Sequence, residues 1–241
     1  MKKINIVAMA GLGKRFLKKN YTIPKPLILI KNKPMFYYAA KSLPKSDINY
    51  FICNKKLLLE FKLKPFINKN FGENKIITIK RKTKGQAFTC NLASKFINED
   101  DIITYGACDY SYKFDYKKFD TLLNKNDLVV FVHKPNKDNI INYKEYGWIK
   151  KSKNNSIQKI KCKNKVSNNP KNDLVIIGSF TFKNKKIFIN SLKAMVNRKD
   201  KINNEYYMDT IIKYAKKLNY KVKYITVNNF KSFGTPGDLR K

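Results

Sequence analysis

The sequence predicts an α/β layer fold with a mainly parallel sheet, and three observations carry that expectation. Short apolar runs alternate with helix-period segments from residue 4 to residue 133, the pattern of strand–helix–strand units whose helices cover the sheet. The first run, residues 4–10, is apolar almost throughout and ends at glycine, as a strand buried on both faces does. No internal repeat and no linker rich in Pro, Gly or Ser interrupts the 241 residues. The reading is therefore one domain over 1–241, less regular in its second half than in its first.

Each element follows from local chemistry. After the strand at 4–10 comes a glycine-rich turn, and Pro24-Lys25-Pro26 then stops any helix, because residues before proline are driven out of the helical region. Residues 34–43 predict a helix opened by Pro34, whose missing N–H is harmless at a first helical position, with Met35, Tyr38, Ala39 and Ser42 at helical spacing. A strand at 48–53, a helix at 55–67 and a strand at 75–80 follow. Residues 86–97, apolar at 88, 92, 93, 96 and 97, predict a helix leading into a strand at 102–105. Another strand is expected at 128–133. A polar stretch rich in Asn and Lys then holds short strand-like pieces at 146–150 and 157–161. The strongly apolar run 174–182 should return to the central sheet, and helices at 184–197 and 205–218 with a strand at 222–227 complete the pattern.

Hydrophobic residues make up 43% of the chain, with 16 Phe and 15 Tyr. A sizeable core is thus available, and disorder, collagen-like repeats and mini-protein scaffolds are excluded. The formal charge of +35 directs attention to polyanionic partners: nucleic acid, an acidic membrane face or phosphorylated substrates. Only Arg15, Arg81, Arg198 and Arg240 supply the planar fork that base readout favours, and the other 48 cations are scattered lysines. That distribution favours a solvated basic surface over a dedicated nucleic-acid binder. Cys53, Cys90, Cys108 and Cys162 are widely spaced, with no CxxC pair, which suits reduced thiols better than a disulfide framework or a zinc site. No window approaches the ~20 apolar residues that span a bilayer, and the expectation is a cytoplasmic protein without membrane insertion.

The segment richest in chemistry is Ala8-Met-Ala-Gly-Leu-Gly-Lys-Arg-Phe16, followed by Ile23-Pro-Lys-Pro-Leu27. Glycines directly after a strand let backbone N–H groups approach phosphates without interference from a Cβ. Arg15 and Lys25 could then neutralise a triphosphate from two sides. A Gly-x-Gly pair alone also fits a simple tight turn. This one lacks the third glycine of a dinucleotide fingerprint and the Gly-Lys-Ser/Thr of a P-loop. Its combination with Arg15 and Pro24-Lys25 is the specific feature.

These residues resemble the N-terminal motif of the nucleotidyltransferases, or pyrophosphorylases, that make nucleotide-activated sugars and related metabolites. The matching stretches are Ala10-Gly11-Leu12-Gly13-Lys14-Arg15, Pro24-Lys25-Pro26-Leu27 and Asn32-Lys33-Pro34-Met35, with Asn32 where the family usually has Gly. Further stretches fall in the family's order: Gly85-Gln86-Ala87, Gly106-Ala-Cys-Asp109-Tyr110, Tyr146-Gly147-Trp148-Ile149, Asn204-Glu205-Tyr-Tyr-Met-Asp209 and Gly234-Thr-Pro-Gly-Asp-Leu239. The resemblance implies a Rossmann-like nucleotide-diphospho-sugar transferase (GT-A-like) fold, a mixed, mainly parallel central sheet flanked by helices. It implies a nucleotide-binding half over 1–133 and an acceptor-binding half over 134–241.

For the site, the resemblance implies catalytic roles for Arg15 and Lys25. Ala10, Gly11, Gly13, Gly85 and Gln86 would bind nucleotide, with Gln86 at the base edge. Asp109 would bind Mg2+, and Gly147, Lys163 and Glu205 would bind the acceptor. The expected partners are a nucleoside triphosphate and a phosphorylated small-molecule acceptor, nucleic acid is not expected, and an oligomer is compatible. Two departures matter. Cys162 stands where many members have a glutamate before the acceptor-gripping lysine, and Ser232 stands where a second metal-binding Asp is usual. Asp209 or Asp238 could substitute spatially, or one Mg2+ on Asp109 could suffice.

The implied reaction needs positioning and charge neutralisation rather than a base, since an acceptor phosphate is already an anion. A chain with His133 as its one histidine can perform it, and a structural role is expected for that residue. The short layout, which ends directly after the closing Gly-Thr-Pro motif, inclines the reading toward a cytidylyltransferase of surface-polysaccharide or capsule assembly. Uridylyl, thymidylyl and guanylyl transfer to sugar 1-phosphates is the alternative. A glycosyltransferase of related fold would carry Asp-x-Asp, where this chain has Asp109-Tyr-Ser. A non-catalytic nucleotide- or nucleic-acid-binding homologue is the remaining alternative.

Overall fold

In the computed structural model, which describes residues 1–11 and 13–240, the first half lays down four parallel strands. These are β1 (Lys3–Ala8), β4 (Ile48–Asn54), β5 (Asn74–Ile79) and β6 (Ile102–Ala107), with the short hairpin β2 (Leu29–Ile30) and β3 (Lys33–Pro34) between β1 and β4. The connections carry helices α1 (Lys14–Leu17), α2 (Met35–Ser42), α3 (Lys55–Glu60), α4 (Leu63–Asn70) and α5 (Gln86–Asn91). The second half adds β7 (Tyr110–Lys113), α6 (Tyr116–Lys125), β8 (Leu128–His133), α7 (Lys137–Ile141), β9 (Gly147–Lys151), β10 (Ile157–Cys162) and β11 (Leu174–Phe182). It closes with α8 (Lys185–Asn197), α9 (Met208–Lys217), β12 (Val222–Thr226) and β13 (Asn228–Ser232).

The strand order runs β5-β4-β1-β6-β11, and β8 and β12 continue beyond β11. β11 is antiparallel to β6, β8 and β9, whereas β12 runs parallel to β8. Its two ends serve different neighbours: Leu174–Ile176 pair with β9, and Phe180–Phe182 pair with β6. The register with β8 shifts between Ile176 and Phe180, a bulge that lets one strand join the main sheet to the β9–β10 hairpin.

Alternation along the strands divides the core between the two faces of the sheet. Ile4, Ile6, Val130 and Val132 belong to a cluster with Phe188, Ile211 and Ile212 from α8 and α9. Val7, Val129 and Phe131 belong to the other, with Phe36, Leu57, Ile67 and Phe119 from α2, α3, α4 and α6. The chain connects β1 to β4 on one side and reaches β6 on the other. The crevice between β1 and β6 is therefore the topological switch point, where open α/β sheets bind ligands.

The structure corrects several expected elements. The helix read over 55–67 is two, broken where Lys62 takes a left-handed φ of 46°. The helix read over 86–97 stops at Asn91, and Ser94–Phe96 form a 3-10 turn. The last long helix starts at Met208, not at 205. Helix α6 and the ribbon of β7 with β13 are additions.

A candidate active site at the carboxyl edge of the sheet

β1 delivers the glycine loop to the crevice. Met9 extends the strand by donating its N–H to the Ile52 carbonyl at 2.9 Å. Gly11 is exposed, and a Cβ added there would meet nothing within 4 Å. Gly13 turns the chain with φ 61° ahead of α1, and a Cβ on it would press on the Lys25 Cβ at 2.7 Å. The loop and Lys25 thus lie back to back. Pro24 and Pro26 hold Lys25 at the start of a 3-10 turn.

Asp109 follows β6 directly. Its carboxylate accepts from the Lys25 ammonium at 2.5 Å, with both side chains largely buried. Burial alone would pull the Lys25 pKa down, but the attraction of Asp109 and the hydrogen bond to it outweigh that cost, and the net shift is upward. Arg15, on α1, reaches across to the second half of the chain and pairs with Glu145 at 3.0 Å, with about half its side chain exposed.

The β7–β13 ribbon brings the end of the chain to Asp109. The Phe233 N–H donates to the Asp109 carbonyl at 2.8 Å, and Ser232 lies opposite Tyr110. Ser232 Oγ donates to Asp238 Oδ2 at 2.8 Å, and the Thr235 N–H donates to the same oxygen at 3.0 Å. A methyl group on Gly234 would meet Asp109 Oδ2 and Ser232 Oγ at 3.4 Å each and Asp238 Oδ2 at 3.8 Å. Two carboxylates and a hydroxyl therefore border one point. Among the described residues, no group of three or more His, Cys, Asp or Glu is arranged to hold a metal ion by itself.

The loop after β5 is stitched to the segment before α9. The Tyr206 N–H donates to the Lys84 carbonyl at 2.9 Å, and the Ala87 N–H donates to the Tyr206 carbonyl at 3.1 Å. Gly85 makes this approach possible. It has φ 121°, and a Cβ there would lie 2.6 Å from both the N and O of Tyr206. Gln86 heads α5 beside it. Glu205 pairs with Lys82 at 2.6 Å and accepts from the Tyr207 hydroxyl at 3.0 Å. These partners, the Lys82 hydrogen bond first, hold its carboxyl below its usual range.

The sequence profile of the nucleotidyl transferase family matches residues 4–240. The chain belongs to that family. Among solved structures, this nucleotidyl transferase is similar to the nucleoside-diphosphate-sugar pyrophosphorylase from Vibrio cholerae RC9, with a TM-score of 0.82, 19% identity and coverage of 98% of this chain and 100% of that one. It is also similar to the inositol-1-phosphate CTP transferase from T. maritima, with a TM-score of 0.73, 15% identity and coverage of 98% and 91%. A UTP-bound UGPase from Acinetobacter baumannii gives a TM-score of 0.72, 15% identity and coverage of 100% and 91%. At these identities the likeness shows the fold, the Rossmann-like GT-A-type arrangement expected from the sequence. The search of curated proteins finds no match.

The expected site residues of the nucleotidyl transferase fall into three groups. Ala10, Gly11, Gly13, Arg15, Lys25 and Asp109 share the β1/β6 crevice. Gly85, Gln86 and Glu205 share the stitched loop. Gly147 and Lys163 lie at the β9–β10 hairpin, where the Lys163 N–H donates to the Tyr146 carbonyl at 2.8 Å and its ammonium sits 4.9 Å from the centre of the Tyr207 ring. The two candidate substitutes separate: Asp238 borders Asp109, whereas Asp209 lies against Gly147.

Glu145 and Lys82, the partners of Arg15 and Glu205, carry no signal in the sequence. Each is one charge in a lysine-rich chain, and only the fold pairs it. His133 is buried, with its ring stacked on Phe230 at 4.0 Å and Nδ1 2.7 Å from the Lys134 carbonyl. Burial lowers its pKa to about 4.

Proposed function

We propose that this nucleotidyl transferase moves a nucleoside monophosphate from a nucleoside triphosphate, with CTP preferred, onto a phosphorylated small molecule and releases pyrophosphate. The observation that carries the reading is the Lys25–Asp109 pair at the switch point, 2.5 Å across and packed behind the Gly13 turn of the glycine loop. An acceptor phosphate oxygen forms a bond to the α-phosphorus, and the bond from that phosphorus to the bridging oxygen breaks. The electron pair leaves with pyrophosphate. The nucleophile is already an anion, so the residues needed are cations and backbone donors rather than a base. His133, buried and neutral, has no part in this scheme.

Lys25 and Arg15 take the role of neutralising charge on the triphosphate and the departing pyrophosphate. Gly85 and Gln86 take the nucleobase, and Lys163 the acceptor phosphate. The oxygen donors around Gly234 suit Mg2+, which binds hard oxygens and is commonly held by one or two carboxylates together with substrate phosphates. Asp109 would hold it, with Asp238 the adjacent carboxylate. When bound, the ion supplies further charge neutralisation to the phosphates.

The CTP preference draws support from the family resemblance and from the likeness to the T. maritima CTP transferase. Likeness to a UTP-bound enzyme supports a second reading, uridylyl transfer to a sugar 1-phosphate. The proposed product is an activated precursor for surface-polysaccharide assembly, made in the cytoplasm. The test is pyrophosphate release with Mg2+, pairing CTP, UTP, dTTP, GTP and ATP with sugar 1-phosphates and with phosphorylated amino alcohols. Release that requires CTP together with one acceptor is the expected result. Nucleotide binding without release from any pair would overturn transfer in favour of a binding homologue.

A further inference from the structure

The helix pair α3–α4 carries apolar side chains that the fold does not bury. Leu57 anchors α3 in the core, and Leu63 and Ile67 anchor α4. Between these anchors Leu59 is 65% exposed and Phe61, which caps α3, is 40% exposed. On one unbroken helix the two would stand about 200° apart, so the side away from solvent could take one of them. The left-handed turn at Lys62, with φ 46°, ends α3 instead, and both stay in solvent. Large apolar groups exposed this close together mark a surface that something covers.

The surroundings are cationic. Lys55, Lys56, Lys62 and Lys64 are exposed around the turn, and Glu60, the one acid over 55–64, pairs with Lys56 at 3.5 Å. One helical turn further on, Phe66 of α4 packs edge-on against Tyr37 of α2, and the Lys33 ammonium lies 5.6 Å from the centre of each ring. Basic and apolar groups are thus interleaved along α3–α4 and onto α2. A single-stranded nucleic acid would need open ring faces on which bases stack. Here the rings are half-buried and meet edge to face, and the most exposed apolar group, Leu59, is aliphatic. An anionic bilayer surface uses both kinds of group: its negative potential attracts lysines, and apolar tips enter the headgroup region. Among the described residues no helix is long and apolar enough to cross a membrane, so the contact would be interfacial.

We infer that the α3–α4 turn docks this protein on an anionic lipid surface, with Leu59 and Phe61 entering the headgroup layer and Lys55, Lys62 and Lys64 facing the lipid phosphates. The overall charge of +35 draws the chain toward such a surface from a distance. The turn decides which face of the molecule meets it. Docking of this kind is independent of the transfer reaction.

The test is sedimentation of the full chain with vesicles of phosphatidylcholine alone or with about 30% phosphatidylglycerol. Binding should require the anionic lipid. Leu59→Ser combined with Phe61→Ser should weaken it about tenfold, as should Lys62→Gln combined with Lys64→Gln. Lys150→Gln combined with Lys159→Gln, an exposed pair on the β9–β10 hairpin, should weaken it by about twofold at most. Phe61→Trp supplies a readout that a folding defect does not mimic. Its emission, read above that of the buried Trp148, should shift to the blue on anionic vesicles and be quenched by brominated acyl chains. Absence of binding, binding that ignores lipid charge, equal losses from the two lysine pairs, or Phe61→Trp emission that vesicles leave unchanged would each overturn the inference. So would a loss from Leu59→Ser with Phe61→Ser that appears on single-stranded RNA and not on vesicles, which would make the turn a nucleic-acid surface.

Discussion

The two halves of the crevice handle charge in opposite ways. On the side proposed for the nucleotide, Lys25 and Asp109 neutralise each other at 2.5 Å, Asp109 just beyond β6 and Lys25 packed against the glycine turn that follows β1. On the side proposed for the acceptor, Asp209 lies against a glycine without an ion pair, and the Lys163 ammonium rests over a tyrosine ring. A triphosphate entering the first half must exchange partners with a charge pair already formed. Under the proposed function, triphosphate recognition is preorganised, whereas acceptor recognition is left open.

The largest effects should come from breaking the preorganised half. Asp109→Asn should lower Mg2+-dependent turnover by about a thousandfold, and Lys25→Ala by about a hundredfold, the scale of losing preorganised charge stabilisation in a transition state. Single-turnover pyrophosphate release measures both. The pair is one unit, so the double variant should lose much less than the product of the two single losses. Multiplicative losses would mean that the two side chains act independently and that the observed contact has no catalytic meaning.

Much of this half is legible in the sequence, for a physical reason. β1, β4 and β8 are covered on both faces, so burial forces continuous apolar runs that stand out in a lysine-rich chain. The glycine loop and Asp109 follow such strands directly. Where burial is one-sided the signal fades. The ribbon β7–β13 has mixed exposure and includes Lys113 and Lys231, and α6 buries only Phe119 and Leu123 among polar neighbours. The break at Lys62 is announced only by Pro65, whose ring would strike the Phe61 carbonyl in a helix running unbroken over 55–67. The contacts of Asp209 with Gly147 and of Arg15 with Glu145 join residues distant in the chain, and no local pattern encodes them.

Two glycines sharpen the comparison through stability. Gly85→Ala should cost about 2–3 kcal/mol, because φ 121° is foreign to alanine and the new methyl would strike backbone atoms of Tyr206. Gly11→Ala meets open space, so its melting temperature should stay close to that of the unaltered chain. Any loss of triphosphate affinity in that variant would then report crowding of the ligand. A melting temperature for Gly85→Ala equal to that of Gly11→Ala would show that the stitched loop yields easily and does not fix Gln86.

The side proposed for the acceptor also carries two carboxylates with opposite pH signatures. Asp209 has a native pKa of about 6, above its ordinary value of 3.8. Its contribution to stability is full below the unfolded value and is lost as pH rises through about 6. The groups facing it are Lys163, Cys162, Tyr207 and Tyr110. Asp209→Asn should therefore become more stable relative to the unaltered chain as pH rises from 4 to 7, by about 1–2 kcal/mol. Glu205 is shifted the other way by Lys82 and Tyr207, so the cost of Glu205→Gln should vanish on acidification. Melting curves across that range decide the point, and parallel curves for the two variants would remove the contrast between a paired and an unpaired acid.

The smallest expected effect concerns the contact that joins the halves. Arg15 is held by Glu145, so a triphosphate that takes up Arg15 would compete with that carboxylate for the same guanidinium. Arg15 is about half exposed, and such pairs contribute roughly 0.2–1 kcal/mol. Releasing it by Glu145→Gln should tighten triphosphate binding by a factor of up to about five. The gain should shrink as salt screens the pair. In an Arg15→Ala background the same substitution should do nothing, because the competition has lost its object. A gain that persists without Arg15 would mean that Glu145 repels the nucleotide directly. The two halves would then communicate through the field of the crevice rather than through an exchangeable ion pair.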